Sequence, residues 1–395
     1  MSDDQHFDIA IIGGGIIGSA TAYFLARTGR AGRIAVIEPD PTYERASSPA
    51  ANGGIRRLFS LPENIAMGTF GLEFYRDFPE AMAVDGEPQP ISFRQQGYMF
   101  LSDTGGHDIM EENHATQVAH GVRAEVLSPA EVKSRFPSIN VDDLALAVYS
   151  PEDAWLDPHA ALMGFRKKAR SLGVTYVKDR VVRWSRDGAV ARDVTLDDGG
   201  TITADVFVLA AGGWSGEVGE LIGLDVPVSP LSRESYFFKT NVEIEDIPFL
   251  KSESDLAFRP EGTGFAGGMP DWSRGPGWDW ELSPDRFESV VWPAVANRIP
   301  AMQTLKLERA WVGHYDNNTL DHSAIIGRWD DGAGAGADNV YMGIGYSGHG
   351  IMHAPASGLA LSELILDDAY STMDLTPFGY ARVPANEPYA ERGIV

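Results

Sequence analysis

Gly13-Gly14-Gly15-Ile16-Ile17-Gly18 follows the apolar run Phe7 to Ile12 and opens a stretch, Ile16 to Thr28, whose apolar residues suit a buried helix. The G-x-G-x-x-G spacing has a physical meaning in that setting. Gly13 permits a tight turn, Gly15 lets the backbone approach a pyrophosphate, and Gly18 lets helix and strand pack closely. The helix start at Ile16 and Ile17 offers free N–H groups and a partial positive charge to phosphates. Arg33 to Ile37 reads as a second strand, and Glu38 stands at its end, where a carboxylate accepts hydrogen bonds from ribose hydroxyls. A ligand-free glycine turn explains the glycines but not Glu38, so the stretch reads as the βαβ opening of a dinucleotide-binding domain. It does not by itself separate FAD from NAD.

The bulk numbers fit such a domain plus a second one, since 395 residues exceed a single ordinary core. Hydrophobic residues make up 44% and charged residues 22%, an ordinary globular mix. The formal charge of -24 argues against nucleic acid, and it means that an anionic substrate must be attracted by a few local arginines. With no cysteine, disulfides, thiolate catalysis, cysteine-ligated zinc and a cysteinyl flavin link are excluded. Met1 to Gln5 is polar and acidic rather than a targeting segment, and no apolar run is long enough to span a membrane, so a cytoplasmic location is expected.

Further along, the pattern predicts a polar loop over Arg45 to Gly54 and helices over Pro62 to Phe78, Ile109 to Gly121 and His159 to Leu172. Ser128 followed by Glu131 resembles a capping box ahead of a short helix. Val190 to Leu196 and the turn Asp197 to Gly200 suggest a hairpin, and Asp205 to Ala211 a buried strand. From Val226 the texture becomes β-like, with no strong helical signal until Pro284 to Ile299. Asp271 to Trp280 is a loop with Trp272, Trp278 and Trp280, suited to a lid, a subunit contact or simple packing. Asp331 to Asp338 reads as a turn, Val340 to Gly345 as a last strand and Ala354 to Leu366 as a last helix. The expected class is α/β (α+β overall), a Rossmann-like domain from 1–84, 150–225 and 320–395 with a β-sheet-rich substrate-binding domain from 85–149 and 226–319.

Two late segments favour FAD. Phe207 to Trp214 is a buried strand ending in glycines, and Gly343 to Gly350 is a strand-to-helix turn with four glycines beside Ser347 and His349. Together with Ser47-Ser48 and Asn52-Gly53-Gly54-Ile55-Arg56, these residues resemble the D-amino-acid oxidase superfamily, in its sarcosine oxidase, glycine oxidase and dimethylglycine dehydrogenase branch. Gly53 to Asn64 and Trp311 to Gly327 resemble a subgroup of FAD-dependent oxidoreductase domain proteins. The resemblance implies FAD held by Gly13, Gly15, Ile16, Ile17, Gly18 and Glu38, by Ser47, Ser48, Asn52, Gly53 and Gly54, by Val182, Ala211, Gly212 and Trp214, and by the run Gly345, Tyr346, Ser347, Gly348, His349, Gly350, Ile351 and Met352. It implies oxidation of an amine or amino acid to an imine by hydride transfer to flavin N5, followed by hydrolysis, with a secondary amine of the N-substituted glycine or iminodiacid type favoured.

Departures from the pattern bear on mechanism. Gly313 stands where sarcosine oxidases carry their flavin-linked cysteine. Ala266 or a neighbour stands in place of the lysine that promotes reaction with oxygen, and Met352 in place of a carboxylate-holding lysine. Oxygen and a separate redox partner therefore both stay open as electron acceptors, and the protein is open to oligomerisation. Arg56 suits a two-point carboxylate clamp, or alternatively an ion-paired structural arginine. Arg259, beside Phe258, and His314 and Tyr315 fall where relatives line the substrate pocket, with satisfied packing the favoured reading for His314. His349 reads as a flavin neighbour. His349 and His353 lack the Glu and third ligand of a zinc site, and Gly345 to His349 lacks the frame of a nucleophile elbow, so no metal is expected. A D-amino acid dehydrogenase or oxidase, a non-catalytic flavin-stabilised assembly protein and an NAD enzyme are the competing readings.

Overall fold

Phe7 to Ile12 carries almost no polar side chain because, in the computed structural model, the strand Gln5–Ile12 is buried on both faces between two parallel neighbours, Ile34–Ile37 and Thr201–Leu209. The structure describes residues 5–103, 105–330 and 336–393. The parallel run continues through Thr175–Val177 on one side and Ala337–Ile344 on the other. The expected hairpin closes at the Asp197 to Gly200 turn between Val190–Leu196 and Thr201–Leu209, and Val181–Asp187 extends the sheet one antiparallel strand further. Thr201–Leu209 begins earlier than Asp205 because its first half pairs with Val190–Leu196 and its second half with Ala337–Ile344.

A second eight-stranded sheet runs in the order Lys306–Asn318, Val228–Lys239, Gly264–Gly268, Ala257–Glu261, Phe249–Ser252, Tyr98–Ser102, Leu146–Ser150 and Glu125–Leu127. The first sheet draws its strands from 5–37, 175–209 and 325–344, the second from 98–150 and 228–318. The β-like texture after Val226 thus comes from two long strands, Val228–Lys239 and Lys306–Asn318, with short ones between them. Val228–Lys239 pairs antiparallel with Lys306–Asn318 along nearly its whole length, setting Ser232 opposite His314 and Leu231 opposite Tyr315.

Three helices clamp the nucleotide-type sheet to the loop behind it. Ile16–Ala26 crosses the last long helix, Gly350–Asp367, where a Cβ on Gly358 would press on the backbone of Ala20 and Thr21. Pro62–Arg76 crosses the same helix where Gly71 meets the Met352 carbonyl. The expected last helix starts earlier than Ala354 and accommodates Pro355 within it, and a further short helix, Arg382–Ala385, follows. Pro284 to Ile299 resolves into a π-helical turn, Phe287–Val291, running into Trp292–Arg298. The Ser128 capping box is present, with Ser128 and Glu131 satisfying each other's backbone N–H. Residues 1–4 of the polar N-terminal stretch and 331–335 of the expected Asp331 to Asp338 turn lie outside the described residues.

Arg57, next to the loop Asn52 to Arg56, is fastened to the base of the second sheet. Asp153 is wholly buried and accepts hydrogen bonds from the Arg57 backbone N–H at 2.9 Å and its Nε at 2.8 Å, while Glu152 takes the other end of the guanidinium at 3.0 Å. Removing one partner of a buried pair strands the other charge. Asp153→Ala is expected to lower unfolding free energy by about 3 to 5 kcal/mol, checked by urea denaturation.

Candidate active site

One cavity of about 950 Å³ runs from the glycine turn of the first sheet to the inner face of the second, which is at the upper end of the range for small-molecule sites. At its first end the chain is drawn tight. Gly13 has φ +103°, its N–H donates to the Ile37 carbonyl at 2.9 Å, and a Cβ there would collide with the Ala210 carbonyl. A Cβ on Gly18 would collide with the Gly13 carbonyl. A Cβ on Gly15, by contrast, would meet nothing within 4 Å, because it faces the cavity. The helix that begins at Ile16 has no side-chain cap and no acidic residue in its first turn, so its N-terminal N–H groups and partial charge are left for an anion. Glu38 accepts from the Gly14 N–H and the Asp40 N–H, both at 2.9 Å, and burial pushes its carboxyl up.

Beyond it lie Ser47 and Ser48 on the four-residue helix Ser47–Ala50, then Asn52, Gly53 and Gly54. The Asn52 side-chain oxygen is buried and without a hydrogen-bond partner. Gly53 holds φ +71° with its Cβ position filled by the Leu156 carbonyl. Ala211, Gly212 and Trp214 line the opposite wall, together with the turn from Tyr346 to Met352, while Gly345 sits just behind it against Asn318. The turn is held by Asp316, whose carboxylate accepts the Tyr346 N–H at 3.0 Å and whose backbone carbonyl accepts the Ser347 N–H at 3.1 Å. Ser347 has φ +50°, and a Cβ on Gly348 would strike the Tyr315 ring. These features fit FAD: an open glycine and uncapped helix for the pyrophosphate, a carboxylate for the ribose, and an orphaned amide oxygen and glycine turn for the ring. Val182 is not among them, since its side chain points to solvent and its neighbour Val181 faces the cavity, one residue off by strand alternation.

The substrate-facing candidates divide. Arg56 is buried in the cavity wall. It donates to the Leu58 carbonyl at 2.6 Å and to His349 Nε2 at 2.9 Å, and lies 4.0 Å over the Phe59 ring. No carboxylate forms an ion pair with it among the described residues. Burial, then the nearby Arg56 charge, hold the His349 imidazole well below its usual pKa. It is therefore neutral, with its Nε2 lone pair committed to Arg56. His353 is pushed down to about 3 by the same two causes. Tyr315 faces the cavity and packs on Gly348.

Arg259 is placed elsewhere. Its guanidinium donates to the carbonyls of Asn52 at 2.6 Å and Pro260 at 3.0 Å and pairs with Glu261, so it braces the Asn52 loop from behind and is not among the residues lining the cavity. Its strand neighbour Phe258 is fully buried in the core. His314 lines the cavity but serves the tryptophan loop: its Nε2 accepts the Asp279 N–H at 3.0 Å, and Trp280 and Trp278 pack on its ring at 4.2 and 5.0 Å. Trp278 also packs on Trp214, and all three tryptophans line the cavity, although Trp272 is 67% exposed. Ala266 is not at the cavity, whereas Met352 is.

Sequence reasoning missed Arg233, Lys251, Asp255 and Asp316, which all line the cavity. They come from strands and turns that carry no motif, and only the register of the second sheet points them inward. A lysine does reach this cavity, from Phe249–Ser252 rather than from Gly264 to Met269.

The sequence pattern of the FAD dependent oxidoreductase family matches residues 8–364. The chain is 35% identical to FAD-dependent oxidoreductase domain-containing protein 1 of Xenopus laevis, over 99% of this chain and 85% of that protein. It is 28% identical to glycine oxidase of Bacillus subtilis (strain 168), over 92% and 94% of the two chains. Its fold is similar to that of L-proline dehydrogenase from P. horikoshii, with a TM-score of 0.87, 24% identity and coverage of 98% and 100%.

Two outcomes are expected. Gly15→Ala leaves unfolding free energy within about 0.5 kcal/mol of the parent, because its methyl meets no protein atom, yet weakens FAD retention about tenfold or more, read as flavin absorbance per protein. Asp316, mainly through burial, has its carboxyl raised to about 6. Its folded pKa stands above the unfolded one, so its contribution to stability is present in acid and is lost as pH rises through about 6. Asp316→Asn removes that part of the pH dependence in urea unfolding.

Proposed function

This chain belongs to the FAD dependent oxidoreductase family, and on that premise we propose that it oxidises the C–N bond of a small amino acid or secondary amine, of the N-substituted glycine or iminodiacid type, to an imine that water then hydrolyses. The observation that carries this reading is Arg56, a buried guanidinium facing the cavity with no carboxylate in ion-pair range among the described residues, beside the Ser347 to Gly350 turn. FAD, when bound, supplies at flavin N5 the acceptor for two electrons and the hydrogen on the carbon next to nitrogen.

The chain's own residues bind and orient. The Arg56 fork offers a carboxylate two parallel hydrogen bonds, and His349 with Phe59 fixes the fork's direction, so the substrate's α-carbon is presented to one face of the cavity. Trp278 and Trp280, held by His314, keep bulk water from one side. The neutral His349 is committed to Arg56 and does not serve as the base, and the amine reacts in its neutral form. Glycine oxidase and L-proline dehydrogenase, by their names, act on small amino acids, which supports the substrate class.

The test is anaerobic titration of the flavoprotein with N-substituted glycines, iminodiacids and D-amino acids, following loss of the flavin band and then admitting air. Bleaching by an amino acid is expected, and rapid recolouring identifies oxygen as acceptor whereas slow recolouring identifies a separate redox partner. No bleaching by any amine sinks the reading. Arg56→Met is expected to raise KM about tenfold to a hundredfold with a smaller change in kcat, and Arg56→Lys to recover part of it, since the charge returns without the fork.

A further inference from the structure

Five cations line the cavity: Arg45 lies over Trp280 at 5.3 Å and Arg180 precedes the strand Val181–Asp187, while Arg56, Arg233 and Lys251 share the end near the Ser347 to Gly350 turn, and of these three only Lys251 has a carboxylate in ion-pair range among the described residues. Arg56 has none. Arg233 donates to the Ser232 carbonyl at 3.0 Å and lies over Trp272 at 4.8 Å and Tyr315 at 4.9 Å, and it too has no ion pair among the described residues. Lys251, with its side chain only 13% exposed, reaches Asp255 at 3.3 Å. One Asp255 oxygen is also taken by the Trp272 Nε1 at 2.7 Å.

Several other acids of the lining are occupied within the fold, Glu234 by Arg274 at 2.8 Å and Asp321 by Arg382 at 2.9 Å among them. Glu391 accepts from Ser60, Leu61 and Asn64, capping the start of Pro62–Arg76, and Asp316 holds the Tyr346 turn. Burial and the fields of both arginines push the Lys251 ammonium down, which places it within electrostatic reach of the two. Arg56 sits beside the turn through His349, Arg233 through Tyr315, which packs on Gly348 of the same turn. Enclosed like charges with too few counter-charges are costly until an anion joins them. Arg233 and Lys251 stand on the second sheet, away from the uncapped helix suited to the pyrophosphate.

We infer that Arg233 and Lys251 form a second acidic-group subsite facing Arg56, so that the substrate is an amino acid carrying two carboxylates, one for Arg56 and one for this pair. The inference rests on the amino acid reading above and narrows it. In a chain of net charge -24, such a cluster also supplies the local attraction that the global field denies a dianion.

The FAD-loaded protein is titrated with non-oxidisable acids, malonate and succinate against propionate and butyrate, and Kd is read from perturbation of the flavin spectrum. At least one dicarboxylate is expected to bind about tenfold to a hundredfold more tightly than the monocarboxylate of equal chain length. Arg233→Met and Lys251→Met each shrink that ratio toward one, whereas Arg56→Met weakens both classes. Equal affinities, absence of dicarboxylate binding, or a ratio that both Arg233 and Lys251 variants leave intact overturns the subsite. The parental ratio decides by itself where a variant fails to fold. The readout needs no turnover. A dicarboxylate preference without bleaching by any amine leaves the subsite standing and sinks the oxidation. Bleaching by monocarboxylic amines without the preference does the reverse.

Discussion

Where Gly13 turns, its Cα approaches the Ala210 carbonyl and its own carbonyl approaches Gly18 so closely that neither glycine has room for a methyl group. This double contact joins the first strand, the first helix and the strand Thr201–Leu209 at one point, and the Ala210 N–H completes it by donating to the Ile12 carbonyl at 2.8 Å. Because the helix must then start at Ile16 with its N–H groups toward the gap between strands, the anion site is a by-product of close packing. Glu38 closes the other side by bonding to Gly14.

The last long helix carries the same constraint to the far end of the chain. Gly358 against Ala20 and Gly71 against the Met352 carbonyl let three helices approach to backbone contact, and that approach sets the position of the Ser347 to Gly350 turn. Arg56 then reaches His349 across this packing, and Gly68 fits beneath the Arg56 carbonyl. A residue near position 56 and one near position 349 thus become neighbours in the cavity through glycines that themselves touch no ligand.

Electrostatics divides the molecule in a second way. The chain is acidic overall, yet one end of the cavity gathers Arg56, Arg233 and Lys251, of which Lys251 pairs with Asp255. Two other buried arginines show the contrasting design: Arg57 is matched by Asp153 and Glu152, and Arg382 by Asp321 at 2.9 Å. Arg57 and Arg382 thus have their carboxylates within the fold, whereas Arg56 and Arg233, which face the cavity, have none in ion-pair range among the described residues.

The glycine turn, Glu38, the flavin-loop glycines and the Gly345 to Gly350 run were legible in the sequence, because close backbone approach admits only glycine and so leaves a mark in the one-dimensional order. The hairpin at the Asp197 to Gly200 turn and the Ser128 cap were legible for a related reason: they are local, decided by alternation and by side chains three residues apart. What a side chain on a long strand faces is not local. Arg233 and Lys251 carry no motif, Arg259 differs from Arg56 in no property of its residue type, and Val182 lies one step of strand alternation from Val181. Register in the second sheet and the packing of the Asn52 loop decided that Arg233 and Lys251 face the cavity while Arg259 braces the loop from behind, since a shift by one residue sends a strand side chain to the opposite face.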